Sequence, residues 1–235
     1  MTLQAVFFDV GNTLVFPYPS VSEVCREVLS AAGHTRDLSA IDELMPLVDA
    51  YYEDQYRADD TFWTNEEETS SVWVGMYSLL CRKLGIETEA AVIARRVYDE
   101  FGKAERWRAY DDVAPALDRL RARGIATGVI SNWDGRLQGL LAKMGLATRF
   151  DTIVSSSDVG MRKPDPRIFE LACWRVGVAP EDAAHVGDHH YSDILGARAA
   201  GMDAVLVDRH GTEALPVGPQ PIYDFEQLEA ALGLD

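Results

Sequence analysis

Four short segments hold residue types that together could act on an anion. They are Asp9, the pair Ser131-Asn132, Lys163 in the run Arg162-Lys163-Pro164-Asp165, and Asp188 after Gly187, with Asp193 five residues further on. A carboxylate can attack phosphorus once a cation cancels the repulsion between the two anions. Mg²⁺ takes oxygen ligands and usually only one or two protein carboxylates, a role that suits Asp9 and Asp188. Lys163 would neutralise charge on the nucleophile and on the transferred group, while Ser131 and nearby backbone N–H groups hold phosphate oxygens. Asp193 is placed to orient Lys163 or metal-bound water without touching the substrate. Each segment alone has a plainer reading, because Asp after a strand caps helices and Ser-Asn makes turns. A lone Lys before Pro is ordinarily a solvated loop residue. Their joint occurrence, in this order, points to a phosphate beside a divalent cation.

The elements that must position these residues are legible from hydrophobic periodicity. Ala5-Val6-Phe7-Phe8 is a short apolar run of the kind buried in a parallel sheet, and it ends at Asp9. Prolines at 17 and 19 then forbid continuous helix. From about Ser20 to Trp107 the apolar residues keep helical spacing in Val21–Ala32, Ile41–Tyr56, Thr69–Leu84 and Glu89–Phe101. From Asp111 onward helices and strands alternate. Strands are expected over Ile125–Ile130, Thr152–Val154, Ala183–Val186 and Ala204–Val207, with helices over Val113–Arg123, Gly135–Met144, Pro166–Val176 and Ser192–Ala200. Alternation of this kind builds βαβ units and a parallel sheet with helices on both faces. The fold expected is therefore α/β, a Rossmann-like core formed by residues 1–16 and 108–235 and interrupted by an all-helical insert at 17–107. Ligands in such sheets bind beyond the carboxyl ends of the strands, where all four segments fall.

Composition narrows the partners. The 235 residues carry 38 acidic against 22 basic side chains, a formal net charge of −16. Such a field repels nucleic acid and anionic lipid. No apolar run approaches the ~18 residues of a membrane span, and the start of the chain lacks the pattern of a secretion signal. Cys25, Cys81 and Cys173 lie far apart inside apolar helical patterns, as suits buried thiols in a reducing compartment. A cytoplasmic globular protein acting on a small molecule is the expectation, and its oligomeric state is left open.

Phe8-Asp9-Val10-Gly11-Asn12-Thr13-Leu14 resembles the first motif of the haloacid dehalogenase-like hydrolase superfamily. Ile130-Ser131-Asn132 is similar to its second motif, Lys163-Pro164-Asp165-Pro166 to its third, and Val186-Gly187-Asp188 through Asp193 to its acidic fourth. The likeness runs from Ala5 to about Asp208, and the helical insert resembles the small cap that one branch carries after its first strand. The resemblance implies Asp9 as nucleophile and Mg²⁺ as cofactor, held by Asp9, Asp188 and the backbone carbonyl of Gly11. It implies Lys163 and Ser131 as catalytic partners and Asp193 behind them, with Ser131, Asn132 and Lys163 binding substrate. The activity implied is that of a phosphatase-like hydrolase on a small phosphorylated metabolite.

One departure bears on the chemistry. Phosphatases of this superfamily usually carry a second Asp two residues after the nucleophile, as general acid and base; this chain has Gly11. Such assistance is typically worth ~10²–10⁴-fold, so a slow or specialised enzyme is expected. Three explanations remain open: a proton from His189, His190 or the cap, a substrate with a good leaving group such as an acyl phosphate, or a weakly catalytic phospho-ligand binder. A 2-haloacid dehalogenase is the alternative enzyme, because halide leaves unprotonated, but the acidic pair Asp188 and Asp193 would burden an anionic haloacid. Phosphonate cleavage ranks third, since Lys83 and Lys103 of the insert read as surface residues. Asn12 replaces a usual Gly and tolerates left-handed backbone.

The insert is rich in aromatics: Tyr51, Tyr52, Tyr56, Phe62, Trp63, Trp73 and Tyr77. Most are expected to form its core, with Trp63 or Trp73 as candidates to face the cleft. Trp133, following Ser131-Asn132, is the better candidate to line the entrance. The linkers near Phe16–Pro19 and Arg108–Asp112 would be the hinges for cap opening. Glu66-Glu67-Glu68 is expected as a solvated first helical turn.

Overall fold

The computed structural model describes residues 3–211 and 220–234. The chain divides into two compact units, Met1–Phe16 with Ala109–Asp235, and Pro17–Arg108. Strand β1 (Ala5–Phe8) opens the first unit. Two three-residue strands, β2 (Val15–Pro17) and β3 (Trp107–Ala109), pair where the chain leaves that unit and returns. Sequence periodicity did not foretell this pair, because three residues beside a proline carry no alternation to read.

The second unit contains α1 (Val21–Ala31), α2 (Leu38–Asp42), α3 (Met45–Ala58), α4 (Glu66–Lys83) and α5 (Ala90–Glu100). Helix α1 begins in a capping box, where the Ser20 hydroxyl accepts from Glu23 N–H and the Glu23 carboxylate accepts from Ser20 N–H. The single helix expected over Ile41–Tyr56 is broken into α2 and α3. Pro46 explains the restart, since a residue without an N–H is tolerated in a first helical turn but not within a helix. Glu66, Glu67 and Glu68 form the exposed first turn of α4, capped by the Asn65 side chain. Cys25, Leu29, Ile41, Leu80, Cys81 and Ile93 belong to this unit's core, and burial pushes the Cys25 thiol up to about 12. Tyr52, Trp63 and Trp73 pack ring against ring inside the same unit.

Back in the first unit follow α6 (Val113–Ala122), β4 (Ala126–Ser131), α7 (Leu137–Lys143), β5 (Thr152–Ser155), α8 (Ser156–Val159), α9 (Pro166–Val176), β6 (Ala183–Gly187), α10 (Gly196–Ala199), β7 (Asp203–Leu206) and α11 (Leu228–Ala231). The five long-range strands form a parallel sheet in the order β5-β4-β1-β6-β7. Every residue of β1 and β6 is buried under helices on both faces, which is why β1 reads as an unbroken apolar run and β6 as one interrupted only by His185. Central β1 lies between β4 and β6, with Phe8 opposite Val129 on one side and Val186 on the other. After β1 the sheet grows first through β4 and β5, then on the opposite side through β6 and β7. That reversal makes a switch point beyond the carboxyl end of β1, and Asp9 stands there. The helix expected from Ser192 starts earlier, as a π-helical stretch over His190–Leu195 that leads into α10.

Candidate active site

Asp9 is carried straight off β1, and its N–H donates to the Val186 carbonyl at 2.9 Å, so the ladder to β6 continues through it. Ser131 is the last residue of β4, and its hydroxyl donates to Asp9 Oδ1 at 2.9 Å. Lys163 lies in the loop between α8 and α9, yet its side chain is only 2% exposed. Its Nζ donates to Asp9 Oδ1 at 2.6 Å and to Asp193 Oδ1 at 2.5 Å. A buried ammonium survives only with such partners. Burial alone would lower the Lys163 pKa, but the carboxylates of Asp193 and Asp9 outweigh it and hold the ammonium above the ordinary lysine value.

Asn132 is engaged with the backbone of this lysine. Its Oδ1 accepts from Lys163 N–H and its Nδ2 donates to the Lys163 carbonyl. Trp133 follows, half-buried, with its peptide held by the serines at the end of β5. Its N–H donates to Ser156 Oγ at 3.1 Å, and its carbonyl accepts from Ser155 Oγ at 2.8 Å. A Cβ built on Gly11 would lie 3.6 Å from Trp133 Cζ3, ordinary van der Waals contact. The backbone of Gly11 is not left-handed; Asn12 takes that conformation instead, at φ 51°. Glycine at position 11 is therefore demanded neither by backbone nor by space.

Asp188 follows β6, where the Thr13 hydroxyl donates to its Oδ1 at 3.5 Å. Asp193 lies in the π-helical stretch and is almost wholly buried. The carboxylates of Asp9, Asp188 and Asp193 each offer an oxygen within 4.8 Å of the others. Burial, with Asp9 and Asp193 close by, pushes the Asp188 carboxyl up to about 8. Burial also acts on Asp193, but Lys163 and His185 outweigh it and hold that carboxyl below the usual range. Three carboxylates against one ammonium leave the cluster short of positive charge. An oxygen-only donor set with unrelieved repulsion fits a hard divalent cation.

The Asp193 carboxylate is itself surrounded. Oδ1 accepts from Lys163 and lies 2.8 Å from His185 Nε2, and Oδ2 accepts from His189 N–H at 3.0 Å. It packs so closely on Gly187 that any Cβ there would fall 2.2 Å from Asp193 Cγ, which excludes every other residue type. His189, considered above as a proton source, is exposed and uses its Nδ1 to accept from Ser192 N–H at the start of the π-helical stretch. His190 is half-buried in that stretch. Lys83 is exposed and Lys103 pairs with Glu100.

The structure thus brings Asp9, Ser131, Asn132, Lys163, Asp188 and Asp193 together at one sheet edge, with Trp133 near enough to Gly11 that a side chain there would touch it. His185 was not singled out from the sequence. The signal available was a histidine inside an otherwise apolar strand, three residues before Asp188.

Comparison with known proteins shows the family. The family model for haloacid dehalogenase-like hydrolase matches residues 3–201. Haloacid dehalogenase-like hydrolase domain-containing protein 3 of Danio rerio is 31% identical over 228 residues, covering 95% of this chain and 93% of its own. Glyceraldehyde 3-phosphate phosphatase of Methanopyrus kandleri is 31% identical over 240 residues, covering 95% and 92%. Among solved structures, the magnesium-bound putative hydrolase YfnB of Bacillus subtilis superposes with a TM-score of 0.80 at 18% identity, over 99% of both chains, a likeness of fold. With four motifs converging on one sheet edge and a family match over most of its length, the chain belongs to the haloacid dehalogenase-like hydrolases.

Proposed function

We propose that this hydrolase is a Mg²⁺-dependent phosphatase that acts on a small phosphorylated metabolite through an aspartyl-phosphate on Asp9. The observation that carries the reading is the buried Lys163 ammonium shared between Asp9 and Asp193, beside a carboxylate cluster that lacks positive charge. A nucleophilic carboxylate approaching an anionic phosphoryl group needs that charge on both sides. The likeness to a glyceraldehyde 3-phosphate phosphatase over most of both chains supports the same class of substrate.

In this reading Asp9 attacks phosphorus and the leaving group departs with the bonding electrons. Ser131 and Lys163 hold Asp9 in one orientation through its Oδ1 and stabilise charge on the transferred group. Asn132 sets the Lys163 backbone, and Asp193 holds its ammonium. Water then cleaves the acyl phosphate, regenerating the carboxylate and releasing inorganic phosphate. Asp9, Asp188 and the Gly11 carbonyl would hold Mg²⁺, which screens nucleophile from phosphate when bound. Trp133 lines the site next to Gly11, and the helical unit, residues 17–107, plays the part of a cap. Position 11 supplies no acid, so the enzyme is slow on alkyl phosphates or specialised for better leaving groups.

The test is phosphate release from a panel of phosphomonoesters and acyl phosphates, with EDTA and Asp9→Asn controls. Release that needs both Mg²⁺ and Asp9 is expected, with the variant still folded by circular dichroism. Turnover by folded Asp9→Asn above blank, or silence across the panel, would overturn the assignment.

A further inference from the structure

His185 is an anomaly in its strand. It sits in β6 with Phe7 of β1 opposite on one side and Ala204 of β7 on the other, and is completely buried. Its neighbours in β6 are alanines, a valine and a glycine. The ring meets Phe169 edge-on, with centroids 5.1 Å apart. Nδ1 has no hydrogen-bond partner among the described residues, and Nε2 has one, Asp193 Oδ1. The Asp193 carboxylate is ionised against Lys163 and can only accept, so Nε2 carries the proton and bare Nδ1 faces the core. An apolar side chain would avoid the cost of burying that bare nitrogen. What histidine adds in return is one hydrogen bond to Asp193.

That bond has a geometric consequence. Asp193 lies close enough to Asp9 and Asp188 for all three to share an ion, one oxygen of each standing within 4.8 Å of the others. His185 and Lys163 both hold Oδ1, while His189 N–H holds Oδ2. Both oxygens are thereby turned to N–H donors. Resting on the cation-dependent reading above, we propose that His185 is a positioning residue which commits Asp193 to Lys163 and withholds it from the cation. The cation is left with Asp9 and Asp188, the small carboxylate complement that Mg²⁺ prefers; Ca²⁺ takes more oxygen ligands and gains more from a third carboxylate. His185 therefore acts twice, fixing the ammonium against Asp9 and setting the ion preference of the site.

Isothermal titration of the full chain with MgCl₂ and with CaCl₂ tests this without any substrate. The variants are His185→Leu, which removes the donor, and His185→Gln, whose Nε2 stands the same number of bonds from Cα and can still donate. In His185→Leu the ratio of Ca²⁺ to Mg²⁺ affinity should rise by about tenfold or more, and His185→Gln should return it toward wild type. With acetyl phosphate as probe, kcat should fall ~10–100-fold in the leucine variant with KM changed less, again recovering with glutamine. A merely structural role predicts proportional weakening of both ions and a lower melting temperature. That result, or an unchanged ratio, would overturn the proposal. If His185→Leu does not fold, His185→Phe keeps a ring against Phe169 and serves instead. A wild-type chain that binds neither ion would refute the cation reading itself, whereas normal wild-type binding with an unmoved ratio refutes only the role of His185.

Discussion

Asn132 grips the peptide of Lys163 at two points: its Oδ1 accepts from the lysine N–H at 2.8 Å, and its Nδ2 donates to the lysine carbonyl at 3.0 Å. A side-chain amide here imitates a neighbouring strand and anchors a loop whose lysine must reach Asp9 from 154 residues away in the chain. Removing it with Asn132→Ala should lower turnover ~10–100-fold by loosening Lys163. Stability should fall by ~0.5–1.5 kcal/mol for each bond lost. Asn132→Asp should be worse than alanine, because it sets a carboxylate oxygen against the Lys163 carbonyl. Denaturant melts and phosphate release on the three proteins check the ranking, and an aspartate variant matching wild type would refute it.

Asp188 is destabilised by its own site, its carboxyl pushed up to about 8 by burial and by Asp9 and Asp193. Without divalent cation, Asp188→Asn should therefore melt at or above the wild-type temperature near neutral pH. Each ~1 kcal/mol of relieved repulsion raises Tm by ~2–4 °C in a chain of this size. Added Mg²⁺ should raise the wild-type Tm by mass action and leave Asp188→Asn nearly unmoved. Scanning calorimetry with EDTA and with Mg²⁺ decides. A metal-free variant melting well below wild type would contradict the strain assigned to this carboxylate.

Gly11 has room for a side chain, since a Cβ would only touch Trp133 Cζ3 at 3.6 Å and the backbone is not left-handed. Gly11→Asp should fold and should raise turnover of alkyl phosphates by up to ~10²–10⁴-fold, the usual worth of general acid–base help. Acyl phosphates, whose leaving groups need no proton, should gain much less. A folded, Mg²⁺-binding variant with no gain on alkyl phosphates would show that another group already delivers the proton.

Burial holds the His185 imidazole below its ordinary range, against the opposing pull of Asp193. Unfolded, the same ring titrates near ~6.5. Below that pH the unfolded chain takes up a proton that the folded chain refuses. The contribution of His185 to stability is thus complete above about pH 6.5 and is lost as pH falls toward the depressed folded value. Wild type should lose more Tm than His185→Gln on going from about pH 7.5 to about pH 5.5. Equal losses would show that the ring titrates alike in the folded and the unfolded chain, without the depression that burial imposes.

The strands that carry the site were readable because their cause is local. Ala5–Phe8 is apolar along its whole length and Ala183–Gly187 is apolar but for His185, as suits strands buried on both faces, and an aspartate follows each directly. The α2–α3 break and the β2–β3 pair escaped because their causes are a single proline and a three-residue pairing, neither of which leaves a period.

Among the site residues, the amino-acid order by itself determined which chemical groups stand at strand ends, since residue type and the alternation of strands with helices are properties of neighbouring positions. It also showed the absence of a carboxylate at Gly11. What only the tertiary structure decided is the partnership among those groups. Asn132 proves to hold the Lys163 backbone, Asp193 is claimed by Lys163, His185 and His189 N–H, and Trp133 Cζ3 stands where a side chain at position 11 would meet it. The physical reason is that hydrophobic periodicity specifies which face of an element is buried but not what it meets. Those meetings depend on the order β5-β4-β1-β6-β7 and on close approaches such as that of Asp193 to Gly187, set only when distant segments pack.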